Sequence, residues 1–297
     1  MSAPPKYAVI GDPVEHSLSP QLFGWLFSEL GISGRYARER IRPEELHELV
    51  TRMRGGEWNG VSVTLPHKEA ICSLLDELDS GASRIAACNC VVRLDSGQLA
   101  GFNTDAAGFR QALHSAAGAD LHGARVVLLG AGGAARAAAF EVAFANAREL
   151  QIANRTVERA RRLVEDVLRS WRTANKGRDN PPTPVLEAIP LEEKALSKAL
   201  ANANVVVNST SLGLNEPGQD PLPLRCRMRP GQTVLDMVYR PLQTSLLKRA
   251  ASDGATSVDG LWMLIFQAVE QLRLWTGRQC SAHLVQRLHD FLAAEVA

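Results

Sequence analysis

The sequence has almost no net charge. Its 33 Lys and Arg residues nearly balance 32 Asp and Glu residues, which leaves a formal net charge of +1. Nucleic acids and anionic membranes attract proteins with a strong positive field, so we expect neither as a partner. An anionic ligand must then be bound by a local site, and we expect a small-molecule substrate.

Cysteine is scarce and badly spaced for a structural role. The five cysteines are an odd number in a chain of 297 residues, which argues against a disulfide framework and for a reducing cytoplasm. Cys88 and Cys90 are separated by a single residue, and the sequence has no second pair of cysteines at a zinc-ligand spacing. No zinc site is therefore expected. The first residues lack the pattern of a signal peptide, and no apolar run is long enough to span a bilayer.

The length and the hydrophobic pattern indicate an α/β protein with two domains. Short apolar runs, which predict strands, alternate with longer helical stretches, and this favours a parallel sheet covered by helices. A stretch rich in Pro, Asn, Lys and Gly at 173–184 predicts a surface loop. The predicted strands lie at 7–10, 60–64, 90–94, 98–101, 125–129, 149–153, 205–207 and 233–235.

A glycine motif points to a dinucleotide site. Gly130-x-Gly132-x-x-Ala135 follows a predicted strand and opens an alanine-rich helix. The glycines permit a tight turn and close approach of a pyrophosphate, and the helix N-terminus offers free N–H groups. The alternative is a glycine-rich turn that only packs the helix on the sheet.

The end of the next predicted strand indicates which dinucleotide binds. An NAD site normally has Asp or Glu there, whereas this chain has Asn154, Arg155 and Thr156, with Arg159 one turn later. A guanidinium suits the 2′-phosphate of NADP, so we predict NADP(H) with Arg155 as the main phosphate ligand and Arg159 in support. The alternative is that these arginines only begin a solvated basic helix.

The N-terminal part offers hydroxyl groups beside a predicted helix at 21–30. Ser17 and Ser19 precede that helix, Pro20 suits its first position, and Gly31 follows its end. Both hydroxyls could donate to a carboxylate. The plainer interpretation makes Ser19 an N-cap and leaves Ser17 solvated.

Lys68 and Asp105 are the candidate proton-transfer groups. Lys68 follows the strand that ends near Thr64, and a partly buried lysine can act in proton transfer. An exposed surface lysine is the ordinary alternative. Asp105 could cap the following helix or pair with the lysine, and His67 is expected to be a packing or surface residue.

Taken together, the motifs resemble the shikimate dehydrogenase family over essentially the whole chain. The quoted segments occur in the family's order: Ser17-Leu18-Ser19-Pro20, Val63-Thr64-Leu65-Pro66-His67-Lys68, Asn89, Asn103-Thr104-Asp105, Gly130-Ala131-Gly132-Gly133-Ala134-Ala135, Asn154-Arg155-Thr156, Asn208-Ser209-Thr210-Ser211, Asp236-Met237-Val238-Tyr239-Arg240-Pro241, Asp259-Gly260-Leu261 and Trp275-Thr276-Gly277.

The resemblance implies a substrate-binding domain at 1–106 plus 262–297 and a Rossmann-type NADP-binding domain at 107–261. It implies NADPH-dependent, reversible reduction of 3-dehydroshikimate to shikimate, a step in chorismate and aromatic amino acid biosynthesis. The expected protein is a monomer or homodimer.

The resemblance also implies residue roles. Lys68 and Asp105 would be the catalytic pair, Ser17 and Ser19 would bind the substrate carboxylate near Tyr239, and further substrate contacts would come from Thr64, Asn89, Asp105 and Gln267. The cofactor would contact Gly130, Ala131, Gly132, Gly133, Ala134, Asn154, Arg155, Thr156, Arg159, Thr210, Ser211, Val238 and Gly260.

Two positions depart from the family pattern. Cys90 stands where Thr is usual after Asn89, and Ala106 stands where Gly is common after Asp105. The first departure removes a hydroxyl, so the choice of substrate stays open. The alternatives are a relative that prefers quinate or aminoshikimate, and a sensing protein that binds NADP and shikimate without turnover.

Overall fold

The structure is a computed structural model that describes residues 4–177, 183–214 and 218–296. The chain divides into two compact units. The first comprises Met1–Asp105 and Gln267–Asp290, and the second comprises Ala106–Phe266 and Phe291–Ala297.

The first unit contains a six-stranded mixed sheet in the order β2-β1-β3-β5-β6-β4. Strand β1 pairs in parallel with β2 and β3, while β5 is antiparallel to β3 and β6. Short 3-10 helices lie at Pro43–Glu45 and Ala70–Leu74. The elements are β1 (Lys6–Gly11), α1 (Ser19–Glu29), β2 (Arg35–Arg40), α2 (Leu46–Arg54), β3 (Gly60–Val63), β4 (Glu77–Leu78), α3 (Ser80–Ile85), β5 (Cys90–Arg93) and β6 (Leu99–Phe102).

Close packing of an aromatic ring explains one glycine of this sheet. A Cβ atom at Gly60 would lie 2.2 Å from Nε1 of Trp275. The indole Nε1 donates to the backbone oxygen of Val91 at 3.0 Å, and its ring stacks on Tyr7 with centroids 4.9 Å apart. Glycine at position 60 therefore lets the indole lie directly on the sheet backbone.

The second unit contains a six-stranded, all-parallel sheet in the order β12-β11-β10-β7-β8-β9. The strand order reverses between β7 and β10, so their carboxyl ends border the crevice where nucleotides bind in such sheets. The elements are α4 (Thr104–Ala117), β7 (Arg125–Leu129), α5 (Gly133–Phe144), β8 (Glu149–Asn154), α6 (Val157–Ala174), β9 (Val185–Pro190), α7 (Glu193–Leu200), β10 (Val205–Asn208), β11 (Thr233–Asp236), α8 (Ser245–Ser252), β12 (Thr256–Val258), α9 (Gly260–Thr276) and α10 (Ala282–Val296), with α4, α9 and α10 divided between the units.

The predicted α/β class and the two-domain organisation of the family are confirmed. The predicted surface loop at 173–184 begins too early, because α6 continues to Ala174 and 183–184 leads into β9. Residues 178–182 of that segment lie outside the described residues. In the described part of the chain, no helix is both long and apolar enough to cross a membrane.

Candidate active site

The first unit brings Lys68 and Asp105 into direct contact. Nζ of Lys68 lies 2.5 Å from Oδ2 of Asp105, and the two side chains are 19% and 10% exposed. Lys68 follows the turn after β3, and Asp105 lies in the first turn of α4. A lysine and a carboxylate at this distance, partly shielded from water, form a strong charge-assisted contact. The interpretation of Lys68 as a plain surface lysine is therefore wrong.

Asn89 orients the aspartate from its other side. Its Nδ2 donates to Oδ1 of Asp105 at 2.8 Å, and its Oδ1 accepts the backbone N–H of Thr104 at 2.6 Å. The latter contact helps to fix the N-terminus of α4. Asp105 thus does not act as an N-cap, since its two oxygens face Lys68 and Asn89.

Two buried glutamines of α9 extend this network. Nε2 of Gln271 donates to Oε1 of Gln267 at 2.7 Å and to the backbone oxygen of Asn89 at 3.3 Å. Oε1 of Gln271 accepts from Ser62, whose oxygen in turn accepts from the hydroxyl of Tyr36 at 2.6 Å. The side chains of β2, β3 and α9 are therefore linked by hydrogen bonds to the catalytic candidates.

The serine pair lies at the start of α1. Oγ of Ser17 donates to Oγ of Ser19 at 3.1 Å and accepts the Ser19 backbone N–H at 3.2 Å. The helix begins at Ser19 itself, after Leu18 at the cap position and without a side-chain cap. The expected N-cap role of Ser19 is wrong, and its hydroxyl instead accepts the hydrogen bond from Ser17. Burial raises the pKa of Tyr36 well above its ordinary value.

Thr64 and His67 differ in what their side chains do. Thr64 is half-buried just beyond β3, and among the described residues its hydroxyl has no hydrogen-bond partner. His67 is 1% exposed, and its Nε2 lies 2.6 Å from the backbone oxygen of Ile41. Of the two roles expected for His67, packing or surface, the structure shows packing. The Thr64 hydroxyl, by contrast, is available for a ligand.

In the second unit, the glycine turn connects β7 to α5 as predicted. Gly130 adopts a φ of +108°, which L side chains rarely adopt, and a Cβ there would lie 2.7 Å from Oγ of Ser209. At Gly132, the N-cap of α5, a Cβ would meet no atom within 4 Å. Glycine is therefore required at position 130 by its backbone angle and by the contact with Ser209. The space beside Gly132, by contrast, is open to a ligand. Ala131, Gly133 and Ala134 complete the backbone of this turn.

The basic residues after β8 fit a phosphate. Arg155 and Arg159 are both exposed, and within the described ranges neither has a carboxylate within 4.0 Å. Asn154 ends β8, and its Nδ2 donates to the backbone oxygen of Thr156 at 2.8 Å, which fixes the turn between them. With no acid paired to them in the described part of the chain, the two guanidinium groups are available to bind an anion.

A buried aspartate arranges the loops after β10 and β11. Asp236 is fully buried, and burial raises its pKa above the ordinary value, opposed by hydrogen bonds from Thr244, Val238 and Asn208. Its oxygens accept from Thr244 Oγ1 at 2.6 Å and from Asn208 Nδ2 at 2.8 Å. Oδ1 of Asn208 in turn accepts the backbone N–H and hydroxyl of Thr210.

This network lies at the ends of β10 and β11, so it positions two of the predicted cofactor contacts, Thr210 and Val238. A third, Ser211, follows Thr210 directly in the chain. A fourth, Gly260, begins α9, where a Cβ would lie 2.6 Å from the backbone oxygen of Met237. Tyr239 is half-buried in the second unit, and burial raises the pKa of its hydroxyl.

Several residues of these networks carried no role in the sequence interpretation: Tyr36, Ser62, Thr104, Asn208, Asp236, Thr244 and Gln271. Gln271 stands four residues after Gln267, and that helical spacing was the available signal. Ser62 and Tyr36 look like ordinary strand residues in the sequence. No cluster of three or more metal-binding side chains occurs among the described residues.

The fold and these two sites define a two-domain α/β protein with a Rossmann-type dinucleotide-binding unit. Three family models match the chain: the shikimate dehydrogenase substrate binding domain over residues 9–91, shikimate / quinate 5-dehydrogenase over 112–214, and the shikimate 5′-dehydrogenase C-terminal domain over 260–287. The chain belongs to the shikimate dehydrogenase family.

Individual relatives agree with that assignment. Shikimate dehydrogenase (NADP(+)) of Methanopyrus kandleri is 40% identical, over 94% of this chain and 92% of that protein. The structure of shikimate 5-dehydrogenase from Thermus thermophilus in complex with NADP(H) and shikimate is 35% identical with a TM-score of 0.82, over 99% and 100%. Quinate dehydrogenase from Corynebacterium glutamicum in complex with NAD is 27% identical with a TM-score of 0.85, over 98% and 99%.

Proposed function

We propose that this chain catalyses the NADP-dependent, reversible interconversion of 3-dehydroshikimate and shikimate, a step in aromatic amino acid biosynthesis. The observation that carries the chemistry is the ion pair between Lys68 and Asp105, with Asn89 bound to the same carboxylate. A non-catalytic sensing protein would not need this partly buried acid–base pair. We further propose that the enzyme works in the cytoplasm as a monomer or homodimer.

When bound, NADPH supplies the hydride for the ketone. Negative charge then develops on the ketone oxygen, and the ammonium of Lys68 stabilises it and delivers the proton. Asp105 keeps that ammonium in position and accepts a hydrogen bond from a substrate hydroxyl. In the reverse direction the amine form of Lys68 accepts the proton of the shikimate hydroxyl that is oxidised.

The remaining substrate groups are proposed to bind to neutral side chains. Ser17 and Ser19 donate to the carboxylate, which Tyr239 also contacts. Thr64, with its available hydroxyl, binds a ring hydroxyl.

Asn89 and Gln267 are proposed to bind the other ring hydroxyls. Both are buried amides in the network of Asp105, so their donors and acceptors have fixed directions. Fixed polar groups select one arrangement of hydroxyls around a ring, because an incorrect isomer leaves a buried group unpaired.

The second unit is proposed to bind NADP. The open side of the glycine turn and the N-terminus of α5 suit a pyrophosphate, and the exposed Arg155 and Arg159 suit the 2′-phosphate. The loops that carry Thr210, Ser211, Val238 and Gly260 contact the rest of the cofactor. Relatives named as NADP(+) enzymes support this choice.

The competing function is oxidation of quinate or aminoshikimate. It is considered because the chain is similar to the structure of a quinate dehydrogenase. Purified protein should be given shikimate or quinate with NADP⁺ or NAD⁺ in a two-by-two panel. The rate is measured from the absorbance of the reduced cofactor, and the four rates give the specificity. We expect fast turnover only with shikimate and NADP⁺. Preferred turnover of quinate, or no turnover at all, would refute the proposal.

A further inference from the structure

The serine pair leaves the proposed substrate carboxylate without a formal countercharge. Two neutral hydroxyls donate weaker hydrogen bonds to a carboxylate than charged donors do. A nearby cation would therefore change how well an anionic substrate binds. The inference below rests on the proposed function, because it takes Ser17 and Ser19 as the carboxylate site.

The guanidinium of Arg38 contacts the backbone of Ser17. Arg38 is in β2, two residues after Tyr36, so both side chains project from the same face of the strand. Its Nε and Nη2 donate to the backbone oxygen of Ser17 at 3.0 and 2.7 Å, and Nη2 also donates to Oε1 of Gln21 at 2.8 Å. The carbonyl oxygen and hydroxyl of one serine are only roughly 3–5 Å apart by covalent geometry.

Among the described residues, no acid pairs with the guanidinium of Arg38. Its hydrogen bonds go to a carbonyl and an amide oxygen, and in the described ranges no carboxylate lies within 4.0 Å. The neighbouring Arg40 differs, because its Nε lies 2.7 Å from Oδ1 of Asp12. Arg38 thus combines a fixed geometry with an uncompensated positive charge at the serine pair.

We propose that Arg38 is a specificity residue that supplies the positive charge for an anionic substrate at Ser17 and Ser19. It acts through its field on the bound carboxylate, while its hydrogen bonds to the Ser17 carbonyl oxygen hold the guanidinium in place. An opposite charge within about a Debye length, roughly 10 Å, changes affinity for an ion but not for a neutral molecule of the same shape.

The test compares shikimate with its neutral methyl ester in the native enzyme, Arg38→Gln, Arg38→Lys and the control Arg35→Gln. Arg35 is exposed in the same strand and faces the opposite side. For Arg38→Gln we expect KM for shikimate to rise about tenfold at low salt, with kcat little changed and KM for the ester unchanged. Arg38→Lys should retain most of the affinity, and added salt should reduce the difference between native and Arg38→Gln.

Equal losses for shikimate and the ester would overturn the inference, because Arg38 would then only support the loop. Unchanged KM for both would overturn it as well. These results are distinct from failure of the proposed function, which would appear as a native enzyme without activity on shikimate.

Discussion

Replacing Lys68 by methionine tests the proposed chemistry most directly. Methionine has a similar length and no charge, so the packing around position 68 is largely kept. The ammonium lies 2.5 Å from Oδ2 of Asp105, and Asn89 still donates to the other oxygen of that carboxylate in the variant. Because the aspartate keeps one partner and some exposure to water, we expect the variant to fold.

The expected loss follows from the role of the lysine. General acid–base catalysis by one side chain contributes about 10²–10⁴-fold, which corresponds to about 3–5 kcal/mol in the activation barrier. Because the interaction with the ketone oxygen is strongest in the transition state, kcat should fall by that factor while KM for shikimate changes little.

Steady-state kinetics with shikimate and NADP⁺ measures both constants, and a thermal melt of each protein checks folding. Asp105→Asn is the matched variant, since it keeps the shape and removes the charge partner of Lys68. A Lys68→Met enzyme with native kcat, or with a change in KM alone, would show that the lysine does not transfer the proton.

Three further predictions concern the cofactor, the cysteines and the sheet. Arg155→Ala should weaken NADP⁺ binding by about 1.5–3 kcal/mol, the range for hydrogen bonds to charged groups, and leave NAD⁺ binding unchanged; calorimetry giving equal losses would refute the assignment. Burial raises the pKa of the Cys88 thiol to about 12, so as pH rises the unfolded chain loses this proton before the folded protein does, and the free energy of unfolding should fall above about pH 9 by up to about 1.4 kcal/mol per pH unit. Urea titrations should show the stability of the native protein falling relative to that of Cys88→Ala in this pH range, and parallel curves would contradict the argument. Gly60→Ala should destabilise the protein by about 1–3 kcal/mol because the added Cβ would overlap the Trp275 indole. The control Gly24→Ala in α1, whose Cβ would meet no atom within 4 Å, should stabilise the protein by about 0.5–1 kcal/mol, and equal urea midpoints for the two variants would refute the reasoning.

The nucleotide-binding unit was largely predictable because its signals are local. The strand before Gly130, the glycine turn and the alanine-rich helix are consecutive in the sequence, and so are β8 and the Asn154-Arg155-Thr156 turn. Each prediction needed only hydrophobic periodicity and the backbone requirements of glycine. The structure confirms these elements with ends that shift by a residue or two.

The elements that were missed have weak local patterns. Strand β2 reads Arg-Tyr-Ala-Arg-Glu-Arg, which has too few apolar residues to predict a strand, and it exists because it pairs in parallel with β1 along its whole length. Strand β9 likewise lies at the edge of its sheet beside β8. An edge strand depends on its neighbour for hydrogen bonds, and that neighbour is not adjacent in the sequence.

Local patterns in the chain were enough to predict the α/β class, the glycine turn, the basic residues after β8 and the family to which the chain belongs. The pairing of Lys68 with Asp105, and the buried network that joins this pair to Asn89, Gln267 and Gln271, could be seen only in the folded protein. The two kinds of signal differ in their range along the chain. Turn geometry and periodicity act between near neighbours in the chain, whereas these hydrogen bonds join residues up to 182 positions apart, and only the folded sheet and helices bring them together.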